Sequence, residues 1–307
     1  MRALLVVNPN ATTTTVRTRD VLARALRSEV DLEVGETGHR GHAAELAHEA
    51  ARAGIDIVVA LGGDGTVNEV VNGLLRDGPS DAVPALAVVP GGSTNVFARA
   101  LGLPREPWEA TATILESIRE KRTRTVGLGR ADDRWFTFCA GLGLDAEVVR
   151  RVENARTRGK TATKSLYLRA TIAQYLAGTD RSEPLLTVHR PGLAPVEGLS
   201  MAIVQNTAPW TYFGERPVHP SPLASFDEGL DLFALRRLHL PSTLRTARQI
   251  LSKRPDPKGS RVFGLHDQDT FRLVAQRPLA LQVDGDYVGE SSEVVFTSEP
   301  KALRVVV

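Results

Sequence analysis

The 307-residue chain has a single cysteine, Cys139, which excludes an internal disulfide and fits a reducing compartment. Cys139 lies in the apolar run Trp135-Phe136-Thr137-Phe138-Cys139-Ala140, where a buried strand thiol is expected rather than a nucleophile. Charge of one sign is also scarce. The 38 basic and 36 acidic residues leave a formal net charge of +2, too little to argue for a nucleic-acid partner. Long apolar runs are absent: the first, Ala3 to Val7, stops at Asn8-Pro9 and is too short for a signal peptide or a span. Membrane contact is therefore expected to be peripheral. The histidines show no pairwise spacing suited to zinc, and His42, after Gly41, reads as a helix-start residue.

What is present is organised around Leu61-Gly62-Gly63-Asp64-Gly65-Thr66-Val67-Asn68-Glu69. An apolar run, Ile55 to Ala60, precedes it and reads as a buried parallel strand. Val67, Val70, Val71, Leu74 and Leu75 follow at helical spacing. A glycine-rich turn from strand into helix aims backbone N–H groups and the positive helix end at one spot, which favours phosphate. Glycine is expected there for close backbone approach to the ligand or for positive φ. The stretch carries no lysine, so it is not a P-loop, and Asn68 stands where a dinucleotide fingerprint wants glycine. Asp64 is informative, because a carboxylate beside polyphosphate needs a metal or a proton-transfer task.

In chain order, Ala3 to Val7 reads as a strand, and Asn and Thr residues after it can cap a helix with apolar positions at Val16, Val21, Leu22, Ala25 and Leu26. A strand at Asp31 to Val34 and a helix from Ala43 to Ala53 come next. Ala85 to Val89 is a further buried strand, ending in Pro90-Gly91-Gly92-Ser93-Thr94-Asn95 and a helix from Val96. Two strand–turn–helix units place both turns at the carboxyl edge of a parallel sheet, where ligands bind. A helix containing Trp108, Ile114, Leu115 and Ile118 closes this α/β half, expected to span residues 1–121.

From residue 122 to 307 short strand-like runs dominate: Thr123 to Leu128, Trp135 to Ala140, Leu185 to His189, Ser200 to Gln205, Leu230 to Leu235, Phe271 to Ala275, Leu279 to Val283, Val294 to Thr297 and Leu303 to Val307. They predict a β-rich domain whose last strand could return to the first. A helical insertion runs from Asp145 to Val152 and from about Thr163 to Ala177. It carries Arg150, Arg151, Arg156, Arg158, Lys160, Lys164 and Arg169, read either as a solvated face or as a surface for anionic headgroups. A similar cluster runs from Arg245 to Lys258, and Asn206 to Gly214 is an aromatic loop that either packs or lines an acyl-chain entrance.

The stretch Gly62 to Leu74 closely resembles the nucleotide-binding motif of the diacylglycerol kinase catalytic-domain family, which includes bacterial lipid kinases and sphingosine kinases. Pro90 to Arg99 resembles its second motif, Gly141 to Ala146 a third, Asp227 to Asp231 a fourth, and Val283 to Asp286 its C-terminal Asp-Gly-Glu segment. The resemblance implies an α/β N-terminal domain with an NAD kinase/phosphofructokinase-like parallel sheet, a β-rich sandwich C-terminal domain, and ATP in a crevice between them. It implies contacts to ATP from Asn8, Pro9, Asn10, Ala11, Thr12, Thr37, Gly62, Gly63, Asp64, Gly65, Thr66, Val67, Asn68 and Glu69, and from Gly92, Ser93, Thr94 and Asn95. It puts a structural Mg²⁺ on Asp227 with the carbonyls of Ala224 and Gly229, and a catalytic Mg²⁺ near Asp64. Two departures stand out: Val96 where the family often has Asp, and Asp286 where it has a longer Glu.

The resemblance thus implies an ATP-dependent lipid kinase acting on a lipid hydroxyl, diacylglycerol first. Phosphoryl transfer asks for positioning and charge neutralisation, and the alcohol must lose a proton to a nearby carboxylate. Asp286 is the preferred base by position and Asp64 the other candidate; by itself, Asp284-Gly285-Asp286 would read as a hairpin turn. The alternatives are a long-chain-base or other lipid kinase, an NAD kinase sharing the Gly-Gly-Asp-Gly-Thr turn, and a non-catalytic nucleotide and lipid sensor. The expected partner is a lipid at the inner face of the membrane, reached peripherally from the cytoplasm, with homodimerisation left open.

Overall fold

Short apolar runs separated by amphipathic segments become a parallel sheet in the first third of the chain. Its strands are β1 (Arg2–Val7), β2 (Asp31–Glu36), β3 (Ile57–Gly62) and β4 (Ala85–Pro90), with neighbours in the order β4, β3, β1, β2. The helices are α1 (Val16–Leu26), α2 (His42–Arg52), α3 (Asp64–Leu74), α4 (Val96–Ala100) and α5 (Pro107–Arg119). This computed structural model describes residues 1–12, 14–157, 185–236 and 238–307. It divides into one unit of Met1–Leu128 with Pro300–Val307, and a second of Gly129–Glu299.

In the first unit every residue of β3 and β4 is buried, as a parallel sheet covered on both faces requires. Ala3, Leu5, Val59, Leu61, Ala87 and Val89 share one core with Leu22 and Leu26 of α1 and Ile114 and Ile118 of α5. Val67, Val70, Val71 and Leu74 of α3 are buried, as their spacing predicts. α3 crosses α2 so closely that a Cβ on Gly73 would stand 2.2 Å from the Ala44 carbonyl oxygen. The apolar set expected of α1 is corrected at two positions. Val16 and Val21 are 66% and 61% exposed, because the buried stripe runs through Leu22, Ala23 and Leu26. Trp108 of α5 is likewise 66% exposed.

The second unit is antiparallel. Its elements, beginning with a strand that the first unit shares, are β5 (Thr123–Ala131), β6 (Arg134–Phe136), β7 (Cys139–Gly143), α6 (Leu144–Thr157), β8 (Leu186–His189), β9 (Val196–Leu199) and β10 (Met201–Gln205). They continue as β11 (Thr211–Phe213), β12 (Arg216–Val218), β13 (Leu230–Leu235), α7 (Leu240–Ile250), β14 (Val262–Gln268), β15 (Thr270–Val283) and β16 (Asp286–Val306). Neighbours run β14, β13, β10, β7, β15, and β15 turns into β16. Phe136, Leu142, Val204, Leu232, Phe271, Leu273 and Phe296 form its core.

The expected single strand from Trp135 to Ala140 is two strands, broken at Thr137-Phe138, whose amides are drawn to Asp284. The expected Phe271–Ala275 and Leu279–Val283 runs are one strand with an irregular register between Val274 and Leu279. Likewise Val294–Thr297 and Leu303–Val307 lie in one strand, β16. Its last residues count with the first unit: Val305 pairs in parallel with Leu86, and Ser117 Oγ donates to the Val307 carbonyl at 2.8 Å. The observed division follows Leu128, where the sequence reading placed it after residue 121. The helical stretch expected from Thr163 to Ala177 lies outside the described residues, as do Arg158, Lys160, Lys164 and Arg169, and the side chains of Asp145 and Arg156 are not described.

Candidate active site

β1 leads to β2 on one side while β3 and β4 lie on the other, so the loops after β1 and β3 diverge at the carboxyl edge of the sheet. Such a switch point is where open parallel sheets bind ligands. The Asn8 N–H donates to the Leu61 carbonyl at 3.1 Å, and Asn8 Nδ2 to Thr66 Oγ1 at 3.0 Å. The Asn8 side-chain oxygen accepts from the Asn10 N–H, shaping the turn from Pro9 to Thr12. Thr37 follows β2 at the same edge, its N–H on the Val7 carbonyl at 2.8 Å.

The loops after β3 and β4 touch backbone to backbone. The Gly91 N–H donates to the Gly62 carbonyl at 2.8 Å, and a Cβ on Gly92 would stand 2.7 Å from the Gly63 Cα. Glycine is needed at Gly91 and Gly92 for this approach, a Cβ on Gly62 would instead meet the Thr66 side chain at 2.6 Å, and none of Gly62, Gly63, Gly91 and Gly92 has positive φ. Positive φ is taken instead by Asn95, at 52°, whose amide closes the second loop by exchanging hydrogen bonds with Gly92 at 2.8 and 2.9 Å. Asp64, the first residue of α3, accepts the Phe97 N–H at 3.2 Å through Oδ1 and so ties the first loop to the start of α4.

Two members of the expected nucleotide set have architectural partners. Glu69 accepts from the Gly41 and Ala43 N–H groups at 2.9 and 3.2 Å, capping α2, which has no side-chain cap of its own. Asn68 is fully buried, and its carbonyl accepts from Asn72 Nδ2 at 2.8 Å. Val67 is buried as well, while Gly63, Asp64 and Gly65 are half-buried and Ser93 is exposed.

The arrangement suits a phosphate-bearing ligand. α3 begins at Gly63 without a side-chain cap, leaving amides of its first turn for an anion. Thr14 Oγ1 is buried with no hydrogen-bond partner among the described residues, and a Cβ on Gly91 would lie 2.9 Å from it. A cavity of about 270 Å³ beside the second loop brings Ser93, Thr94 and Asn95 together with Thr18, Arg105 and Trp108. Sequence reasoning missed Thr14, Thr18 and Arg105, which carry no motif. It also missed that His39, His42 and Glu45 bring ligand atoms within 4.8 Å of one another. The histidine rings stack at 4.7 Å, and His42 Nδ1 accepts the Gly38 N–H, so the group orders the turn into α2.

In the second unit, Asp284 and Gly285 form a two-residue hairpin between paired Val283 and Asp286, with φ of 48° and 82°, the signs of a type I′ turn. Asp284 is buried and accepts four hydrogen bonds of 2.7 to 3.1 Å, from the Thr137, Phe138 and Cys139 amides and the Thr137 hydroxyl. Asp286, beyond the turn, is half-buried.

Asp227 is exposed on the turn before β13. The Ala224 carbonyl accepts the Ala208 N–H at 3.0 Å, and the Gly229 N–H donates to Asp267 at 2.7 Å. One carboxylate and two carbonyls are the hard oxygen donors that suit Mg²⁺. Nearby, His266 Nδ1 lies 2.8 Å from buried Asp231, and that hydrogen bond raises the His266 pKa above its ordinary value. In the aromatic loop, Trp210 packs against the core of Met201, Ile203 and Phe233, while Phe213 is 52% exposed.

Comparison with known proteins follows the same lines. Residues 2–131 match the family described as the diacylglycerol kinase catalytic domain. A probable lipid kinase YegS-like protein of Chromohalobacter salexigens is 42% identical over 130 residues, 42% of this chain and 40% of that protein. A diacylglycerol kinase of Bacillus subtilis is 28% identical over 304 residues, 94% of this chain and 90% of that protein. Among solved structures, a diacylglycerol kinase from Bacillus anthracis superposes with a TM-score of 0.72 at 19% identity, covering 99% of this chain and 96% of that one. An NAD kinase from Archaeoglobus fulgidus in complex with ATP gives 0.53 at 12% identity, covering 100% and 94%. These two likenesses concern the fold.

Proposed function

From the match of residues 2–131 to the diacylglycerol kinase catalytic domain, we propose that the chain is a member of that family and transfers the γ-phosphoryl group of ATP to a lipid hydroxyl, with diacylglycerol the first acceptor to test. The observation that carries the reading is the backbone contact of two glycine-rich loops, Gly62-Gly63 and Gly91-Gly92, at the carboxyl edge of the parallel sheet beside its switch point. There the loop amides and the start of α3 hold the ATP phosphates, with the Asn8–Thr12 turn and Ser93–Asn95 alongside. Bound near Asp64, Mg²⁺ would offset the charge that builds on the phosphates. Asp227 with the Ala224 and Gly229 carbonyls would hold a second, structural Mg²⁺. Asp286 takes the proton of the attacking hydroxyl, which makes a weak nucleophile effective at neutral pH.

Among the described residues no helix is long and apolar enough to cross a membrane. The proposed setting is the cytoplasmic side of a membrane, where the chain meets its lipid peripherally. The test is transfer of labelled γ-phosphate from Mg·ATP to a panel of diacylglycerol, a long-chain base and other hydroxylated lipids in mixed micelles, with NAD in parallel. Label on a lipid supports the reading and names the acceptor class. Label on NAD alone overturns it in favour of the NAD kinase whose fold it shares. ATP binding with no label anywhere overturns it in favour of a sensor.

A further inference from the structure

α7 (Leu240–Ile250) is an unusual helix for a globular unit: Thr246 is its one buried residue. Leu240 and Leu244, one turn apart, are 47% and 61% exposed, and Arg248 continues the same stripe one turn further on. The helix contains no acidic residue. From residue 239 to 261 the sequence has six basic residues and one acidic residue. Arg245, Arg248 and Arg254 converge with Gln249, Ser252 and Asp256 on an open cavity of about 240 Å³. Asp256 pairs with Lys258, and none of the three arginines has an ion pair among the described residues.

The helix is held in place by polar ties that leave this stripe uncovered. The Ile250 carbonyl accepts the His219 N–H at 3.0 Å. Gln249 exchanges hydrogen bonds with the Lys258 backbone at 3.2 and 3.4 Å, and Arg261 donates to Ser242 Oγ at 3.2 Å. Exposed guanidiniums around a headgroup-sized hollow, next to exposed leucines, match an interface that is anionic at one level and apolar just beyond it. A soluble phosphate would use the arginines and leave the leucines without a partner.

We propose that α7 and the 252–256 turn dock the protein on an anionic lipid bilayer, with Arg245, Arg248 and Arg254 around a phosphate headgroup and Leu240 and Leu244 entering the acyl boundary. The docking deepens the lipid-kinase reading, since it supplies the surface from which an acceptor lipid is drawn. Its test does not depend on phosphoryl transfer, so failure of one is distinguishable from failure of the other. The full chain is floated with vesicles of phosphatidylcholine alone and of phosphatidylcholine with phosphatidylglycerol. The same is done for Arg245→Gln/Arg248→Gln/Arg254→Gln and for Leu240→Asn/Leu244→Asn, with circular dichroism and ATP binding as checks on folding.

The expected result is binding to the anionic vesicles only, weakened about fivefold for each arginine removed and weakened also in the leucine variant. Salt lowers it, as screening requires. Binding unchanged in the arginine variant, or no binding by the parent chain, overturns the proposal. So does a leucine variant that binds like the parent while inorganic phosphate competes, because the hollow would then serve a free anion.

Discussion

Each unit contains a turn in which aspartate and glycine alternate, Gly63-Asp64-Gly65 in one and Asp284-Gly285-Asp286 in the other. On paper the two look alike, a carboxylate held at a strand end. Asp284 is 3% exposed and surrounded by four donors that pin the Thr137–Cys139 bend, so its charge is spent on architecture. Asp64 is half-buried at the start of a helix, and its Oδ1 accepts the Phe97 N–H from the neighbouring loop. The glycines differ too: Gly63 and Gly92 let two backbones touch, whereas Gly285 supplies a left-handed φ with open space around it. Similar words in the sequence thus have different physical causes, and substitution can separate them.

The largest effect is expected at Asp64. Asp64→Asn keeps an oxygen to accept the Phe97 N–H and removes only the charge, so the fold should survive while turnover falls by at least about 10³-fold. Near-parental turnover in that variant would make Asp64 a second Asp284, a structural clamp, and the contrast would collapse. Asp284→Asn should do the reverse. Its amide would turn N–H groups toward two of the four donors, costing on the order of 3 kcal/mol in urea unfolding. If that variant unfolded at the parent's midpoint, the four donors would not be holding the bend.

How much of this was legible beforehand follows from the range of the interactions. Ile57 to Gly62 and the buried face of α3 could be read because they depend on local periodicity, which a sequence displays directly. Meeting of the two glycine loops was legible as placement on one sheet edge, though its cause, backbone contact in place of positive φ, was not. Glu69 capping α2 across 28 residues and Asp284 gathering amides from 145 to 147 residues away are contacts that no local pattern encodes. β14 and α7 went unread for a simpler reason: with few buried positions, their sequences carry little apolar rhythm.

The glycines sharpen the contrast at intermediate size. Gly92→Ala places a methyl 2.7 Å from the Gly63 Cα, so the loops must part. A loss of about 1–3 kcal/mol in stability and roughly tenfold in ATP affinity is expected. Gly285→Ala meets nothing within 4 Å and pays only for φ, about 1–2 kcal/mol. Asparagine discriminates the two causes, because it tolerates the left-handed region but still carries a Cβ. Gly285→Asn should recover most of the loss and Gly92→Asn none. Recovery at both positions would mean that the loop contact is soft.

The smallest effects concern two histidines of the second unit, and they have opposite signs. The hydrogen bond that His266 makes to the Asp231 carboxylate raises its pKa above 6.5, so its contribution is full below that value and fades as pH rises through the folded-state pKa. Burial lowers the pKa of His219, whose Nδ1 is buried without a partner. The unfolded chain then takes up that proton first, and stability declines as pH falls below 6.5. His266→Gln should lose stability mainly on the acid side, by less than about 1 kcal/mol since the ring is partly exposed to solvent. His219→Gln should flatten the decline toward acid. Urea midpoints from about pH 5 to about pH 9 measure both. A His266→Gln deficit that grew with pH would show that the raised pKa, and the Asp231 contact behind it, had been misread.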